Sequence, residues 1–173
     1  MKTVDDYNFI DDIKDGEKGE TIIVSHLEGY GYKLINDNKN NKYDLKMLTD
    51  KDVETTLEIK TDVFCYPERT VIKEGVKTII KKRDTGNMFI EKESRGKLSG
   101  ISVTEASWFV MYFPYFQEAW FIRVPKLREL INNNNFYVAT GGDPGSNTKG
   151  YLIRRNQFKE HFKVQKIETE WEN

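Results

Sequence analysis

The chain has 173 residues, with 27 basic and 28 acidic side chains and a net charge of −1 at pH 7. That length suits one domain able to bury its own core, and 38% hydrophobic with 13% aromatic content excludes an intrinsically disordered chain. The charge balance excludes a strongly cationic nucleic-acid coat, the single cysteine, Cys65, excludes an internal disulfide or a thiolate zinc site, and no apolar run approaches the ~20 residues of a membrane span. The start, Met1–Asp6, lacks the apolar stretch of a signal peptide, so a soluble, cytoplasmic protein is expected. The near-neutral total hides polarity: residues 1–20 hold seven acids against three lysines, and residues 149–166 hold six basic residues against Glu160.

Gly16 to Glu28 carries Ile22, Ile23, Val24 and Leu27 among polar residues, which predicts an amphipathic helix stopped by Gly29. Tyr32 to Ile35 predicts a short strand, and the Asp37–Asn41 cluster a turn. Tyr43 to Leu48 alternates, with Tyr43, Leu45 and Met47 on one face and Asp44 and Lys46 on the other. Val53 to Lys60 alternates again, with Glu54, Thr56, Glu58 and Lys60 sharing a face. A hairpin across Thr49–Asp52 would pair these two strands antiparallel. Residues 66–86 are charged and mixed and give no assignment. Met88 to Glu93 reads as a strand, Arg95 to Ser102 as a loop and Thr104 to Ser107 as a short helix. Trp108 to Phe113 is the most apolar strand and is expected at the centre. Ala119 to Val124 is another strand. Pro125 suits the first turn of a helix over Lys126–Ile131. Tyr137 to Ala139 reads as a strand, Gly141 to Gly150 as a loop and Arg154 to Phe162 as a helix. The series points to a single domain of the α+β or mixed α/β class.

The pair of strands carries the chemistry. Strand side chains alternate with period two, so Asp44 lies on the polar face of the first and Glu58 and Lys60 share that of the second. Two carboxylates and one ammonium then converge. A hard cation such as Mg²⁺ is held by one or two carboxylates with water and substrate phosphates. Such an ion lowers the pKa of water and polarises a phosphoryl group. The lysine can orient or deprotonate the attacking water, or stabilise the phosphoryl oxygens. Ile59 turns its side chain to the core, while its carbonyl can face the ion.

Asp44, then Glu58-Ile59-Lys60 at a hairpin, preceded by a helix carrying Gly19-Glu20, resembles the PD-(D/E)XK nuclease superfamily, with Tyr43 where the family name has proline. The resemblance implies a mixed α/β, restriction-endonuclease-like fold, a central mixed sheet flanked by helices, and a metal-dependent endonuclease hydrolysing DNA phosphodiesters with Mg²⁺ or Mn²⁺. It implies that Asp44, Glu58 and the Ile59 carbonyl are metal ligands, that Lys60 is the catalytic lysine, and that Glu20 matches the acidic residue on the first helix of resolvase-like members. The block from Gly86 to Ile101, followed by Thr104-Glu105-Ala106-Ser107-Trp108, resembles a segment of small, often phage-encoded nucleases similar to Holliday-junction resolvases. It implies that Glu91 borders the site and that Arg95, Lys97 and Thr104 touch nucleic acid. Cutting both strands of a junction would call for a symmetric homodimer.

Plainer readings stand beside these. Glu58 and Lys60 also fit a surface ion pair worth less than ~1 kcal/mol, Glu20 a helix-face acid, and Glu93 competes with Glu91 on the same strand face. The basic segment with Arg154 and Arg155 fits either a solvated helix face or a phosphate-contacting surface. Cys65 has no evident base and His26 reads as structural. The functional alternative to an enzyme is a catalytically inactive nuclease fold that binds nucleic acid or another protein.

Overall fold

The computed structural model describes residues 9–36, 42–141, 146–169 and 171. The expected turn over Asp37–Asn41 lies outside them, as do residues 142–145 of the glycine-rich loop. Helix α1 (Phe9–Glu28) begins earlier than its apolar stripe and ends where expected, before Gly29. Ile23 and Leu27, one helical turn apart, are buried with Leu45, Met47, Leu57, Ile59, Val110 and Tyr112.

Those partners belong to a six-stranded sheet. Its strands are β1 (Lys33–Asn36), β2 (Leu45–Leu48), β3 (Glu54–Thr61), β8 (Trp108–Phe113), β9 (Glu118–Arg123) and β12 (Lys163–Lys166), in the order β1-β2-β3-β8-β9-β12. The β3–β8 pair is parallel and the other neighbours are antiparallel, so the sheet is mixed. The apolar Trp108–Phe113 run takes a central place because both its faces are covered. Val110 and Tyr112 meet α1, while Phe109, Met111 and Phe113 meet the opposite layer.

Parallel neighbours need a crossover, and residues 62–107 form it. They contain a detached two-stranded ribbon, β4 (Arg69–Lys73) and β5 (Val76–Ile80), then β6 (Asn87–Ser94) and β7 (Lys97–Leu98). A second sheet, ordered β10-β11-β6-β7, adds β10 (Val138–Gly141) and β11 (Thr148–Arg154). Met88, Ile90 and Ile153 from this sheet pack with Phe109, Met111, Phe113, Trp120 and Ile122 of the first. Leu127 and Leu130 of α2 (Val124–Asn133) close the same core. The first sheet thus has one helix on one face, and a second sheet with α2 on the other, in place of helices on both.

Two helix expectations change, and the unassigned residues gain a structure. Residues 66–86 hold the β4–β5 ribbon. Thr104–Ser107 is extended rather than helical, because Glu105 donates its N–H to the Lys42 carbonyl at 2.7 Å and Ser107 to that of Thr56 at 3.1 Å. The helix expected over Arg154–Phe162 shrinks to one turn, α3 (Arg155–Phe158), and a 3-10 turn over Lys159–His161. Strand pairing takes the flanks: Tyr151, Leu152 and Ile153 pair with Ile90, Phe89 and Met88, and β12 pairs with β9.

Candidate active site

The β2–β3 hairpin forms across Thr49–Asp52 as expected, and its register sets Leu45 opposite Leu57 and Met47 opposite Thr55. Its turn is tied by Thr49, whose hydroxyl accepts the Val53 N–H at 3.2 Å and whose N–H donates to the Val53 carbonyl at 2.9 Å. One step beyond the last ladder pair, Asp44 comes beside Glu58. The Asp44 N–H donates to the Leu57 carbonyl at 3.0 Å, and its Oδ2 accepts the Ile59 N–H at 2.7 Å. A strand residue sends its N–H and C=O to the same edge, so the Ile59 carbonyl leaves β3 on the Asp44 side.

Glu58 and Lys60 share the face of β3 turned away from α1. Lys60 Nζ lies 2.9 Å from Glu58 Oε1, and the Thr104 hydroxyl lies 3.1 Å from Glu58 Oε2. Glu58 is only 8% exposed, whereas the Lys60 side chain keeps 39%. Burial disfavours the Lys60 ammonium. The fields of Glu58 and Asp44, the hydrogen bond to Glu58 and the field of Glu91 outweigh it, so its pKa lies above the ordinary lysine value. Lys60 is therefore a cation here, suited to holding a water or an anionic oxygen.

Glu91 reaches this field from β6 of the second sheet. The alternative, Glu93, is held by Lys149 Nζ at 2.7 Å. Gly100 makes the approach of the neighbouring 3-10 turn possible. Its φ is +52°, and an added Cβ would collide with the Glu91 carbonyl oxygen. Thr104 is buried, and its single hydroxyl proton can go to Glu58 or to the Lys42 carbonyl at 3.0 Å. It sits under the site as a support for Glu58.

Arg128, which the sequence did not single out, fixes that support from α2. Its guanidinium donates to the Thr104 carbonyl at 2.6 Å and to that of Ile101 at 3.0 Å. A lone arginine on a helix gives no signal of such a role.

Glu20 follows Gly19 on α1, and Gly19 packs against Thr61, the residue after Lys60. Thr61 lies on the α1 side of β3, so α1, which carries Glu20, packs on the face of the sheet opposite to Glu58 and Lys60. Arg95 and Lys97 are exposed at the β6–β7 turn, where the Arg95 N–H donates to the Ser146 carbonyl at 2.7 Å. Arg154 is exposed. Arg155 is not on a free surface: it pairs with Asp84, donates to Cys65 Sγ at 3.1 Å, lies over Phe113 at 4.6 Å, and keeps only 12% exposure. Burial pushes the Cys65 thiol up to about 12, so Cys65 is a packed, protonated thiol.

Among the described residues, no group of three or more His, Cys, Asp and Glu side chains is gathered for a metal ion. The donors that the hairpin register sets side by side, the Asp44 and Glu58 carboxylates with the Ile59 carbonyl, are all oxygen. That fits a hard cation completing its shell with water and phosphate. Among the described residues, no helix is long and apolar enough to cross a membrane. No family model, no curated protein and no solved structure matches the chain.

Proposed function

We propose that this protein is a divalent-cation-dependent nuclease that hydrolyses phosphodiester bonds of DNA, built on a restriction-endonuclease-like central sheet. The observation that carries the reading is the set of Asp44, Glu58 and Lys60 on one face of the β2–β3 hairpin, with Lys60 2.9 Å from Glu58. Asp44, Glu58 and the Ile59 carbonyl would hold Mg²⁺ or Mn²⁺. When bound, the ion supplies Lewis acidity toward the phosphoryl group and a more acidic water. The Lys60 ammonium orients the attacking water and neutralises charge growing on the phosphoryl oxygens during in-line displacement. Thr104 keeps Glu58 in place, and Glu91 adds negative potential beside Lys60. Glu20 orients Lys60 or contributes to a second ion, and Arg95, Lys97 and Arg154 offer exposed positive charge to phosphates.

The test is cleavage of single-stranded, duplex, flap and four-way-junction DNA, and of RNA, with Mg²⁺, Mn²⁺ or EDTA, comparing wild type with Lys60→Ala and Glu58→Gln. The glutamine keeps an acceptor for Thr104, so the fold survives. Metal-dependent cutting should fall at least ~10²-fold in each variant, the range found when one transition-state donor is removed. Equal cutting by wild type and both variants would dismiss this site. Binding without cutting under any divalent ion would instead make the chain a non-catalytic nucleic-acid binder.

A further inference from the structure

The β4–β5 ribbon is the one paired element that joins neither sheet. Its strands bond only to each other in the ladder Arg69–Ile80 to Lys73–Val76. The turn at its tip is Glu74-Gly75, with φ of 52° and 80°, the left-handed pair that suits a tight two-residue hairpin. Ile72, Val76 and Ile79 are 71%, 64% and 63% exposed, so these three apolar side chains are turned to solvent.

Its charge is as unusual as its exposure. Residues 69–83 hold Arg69, Lys73, Lys77, Lys81, Lys82 and Arg83 against Glu74, a net of +5. The whole chain carries −1, so the remaining residues carry −6. Arg69, Lys73 and Lys77 against Glu74 leave the strands and turn at +2, and Lys81, Lys82 and Arg83 follow at the base, where Asp84 and Asp62 face Lys82 and Arg83; an exposed ribbon of this sign suits an anionic partner.

The base of the ribbon is fixed, and fixed close to the candidate site. Asp62, two residues beyond Lys60, continues the β3 pairing through its N–H to the Tyr112 carbonyl at 2.9 Å. Its Oδ1 accepts the N–H groups of Phe64 and Cys65, each at 3.0 Å. Tyr66 and Arg83 exchange backbone hydrogen bonds at 3.1 and 2.9 Å. On the return side, Asp84 accepts the Gly86 N–H at 2.8 Å and is gripped by Arg155, which also holds Cys65. The buried Arg155–Asp84–Cys65 cluster is thus a clamp on both legs of the ribbon.

We infer that the β4–β5 ribbon is an arm that engages duplex DNA, laying its lysines along the phosphates as it enters the major groove. The inference rests on the nucleic-acid reading above and extends it to the substrate class. A two-stranded ribbon is one of the few elements a major groove of ~12 Å width admits, and five-residue strands give it a reach of ~17 Å. Thr70, Ile72, Lys77 and Ile79 fall on one ribbon face by the pairing register. That face mixes a phosphate contact with apolar groups of the kind that meet thymine methyls. The chain leaves β3 toward the arm at Asp62, two residues beyond Lys60, and the clamp grips Cys65 three residues later, so a duplex gripped by the arm lies near the end of β3.

The experiment measures the salt dependence of binding to a blunt duplex in EDTA, for wild type and for Lys73→Gln/Lys77→Gln/Lys81→Gln. A control, Lys33→Gln/Lys126→Gln/Lys163→Gln, makes the same charge change elsewhere. Each phosphate contact contributes ~0.9 to the slope of log K against log salt, so the arm variant should lose about 2–3 from the slope and the control less than 1, all with unchanged thermal midpoints. Equal slopes in wild type and arm variant, or equal losses in arm variant and control, overturn the inference. So does an arm variant that turns an oligomer into a monomer while duplex binding is kept, which would make a second copy the partner. Cleavage by the wild type is scored separately. Cutting with an arm-independent slope defeats the arm alone, and an arm-dependent slope without cutting defeats the nuclease alone.

Discussion

Two glycines three residues apart on α1 should respond to alanine with opposite signs. Replacing a helix-interior glycine by alanine stabilises by about 0.5–1 kcal/mol through backbone entropy. At Gly16 an added Cβ meets nothing within 4 Å, so Gly16→Ala should gain that full amount and raise Tm by about 2–4 °C per kcal/mol for a chain of this length. At Gly19 the same Cβ would collide with Thr61 Oγ1 and lie 3.0 Å from Thr61 Cβ. Rotating the threonine moves Oγ1 but leaves its Cβ in place, so α1 must lift from β3. Overpacking of this kind costs about 1–3 kcal/mol, which exceeds the propensity gain. Gly19→Ala should therefore lower Tm where Gly16→Ala raises it. Thermal and urea unfolding of both variants, with Gly19→Ala/Thr61→Gly to close a double-mutant cycle, gives the answer. A coupling of at least ~1 kcal/mol is expected in the cycle. If both alanines raise Tm alike, the close approach of α1 to β3 is wrong.

Two further perturbations test the core and the clamp. The Tyr112 hydroxyl is buried with no hydrogen-bond partner among the described residues, and burial pushes its pKa up to about 12. Tyr112→Phe should stabilise by about 1–3 kcal/mol. It should also remove an alkaline loss: the raised folded pKa gives stability that is full below pH ~10 and falls by ~1.4 kcal/mol per unit as pH climbs toward 12. Urea midpoints at pH 8 and 11 that move in parallel for both proteins would contradict this. At the clamp, burial works against the Asp84 carboxylate. The Gly86 N–H, the Cys65 hydrogen bond and the Arg155 charge, with Lys82, more than offset it, leaving its pKa below the ordinary value. Its stabilisation is present above the usual carboxylate range and is lost as pH falls through the depressed value. Burial raises Asp62 instead, giving the opposite sign in the same region. Asp84→Asn leaves Arg155 buried without its counter-ion, a loss of about 3–5 kcal/mol, and should flatten the acid limb of the urea midpoint measured from pH 7 to pH 3.

What the sequence made legible is what local periodicity can encode. Leu45, Met47, Leu57 and Ile59 alternate with Asp44, Glu58 and Lys60 because one face of the hairpin meets α1, and that alternation places the three chemical groups together. Residues 66–86 gave no pattern because the ribbon turns apolar side chains to solvent: Ile72, Val76 and Ile79 are exposed, and nothing imposes a period on their neighbours. Arg155 counted as surface charge because its partners Asp84 and Cys65 lie 71 and 90 residues away. The choice between Glu91 and Glu93 turned on Lys149, 56 residues from Glu93. The second sheet was illegible for the same reason: β11 borrows its register from β6.

The parallel β3–β8 pair gives this long-range order its consequence. It forces residues 62–107 to cross the sheet, and the crossing carries β6 with Glu91, and then Thr104, onto the face holding Glu58 and Lys60. The opposite face of β3 receives Leu57 and Ile59 against α1 and needs no charge. A nearly buried acid such as Glu58 is a poor stabiliser: exchanging a buried ion pair for packed apolar side chains is often neutral or favourable. The surrounding core, with Met88, Ile90 and Phe109 fully packed, shows that this layer accommodates apolar residues readily. Stability alone therefore does not account for Asp44, Glu58 and Lys60 being assembled there. The nuclease proposed above would account for them, because it would use the two carboxylates for a cation and the lysine for the charge that the displacement develops.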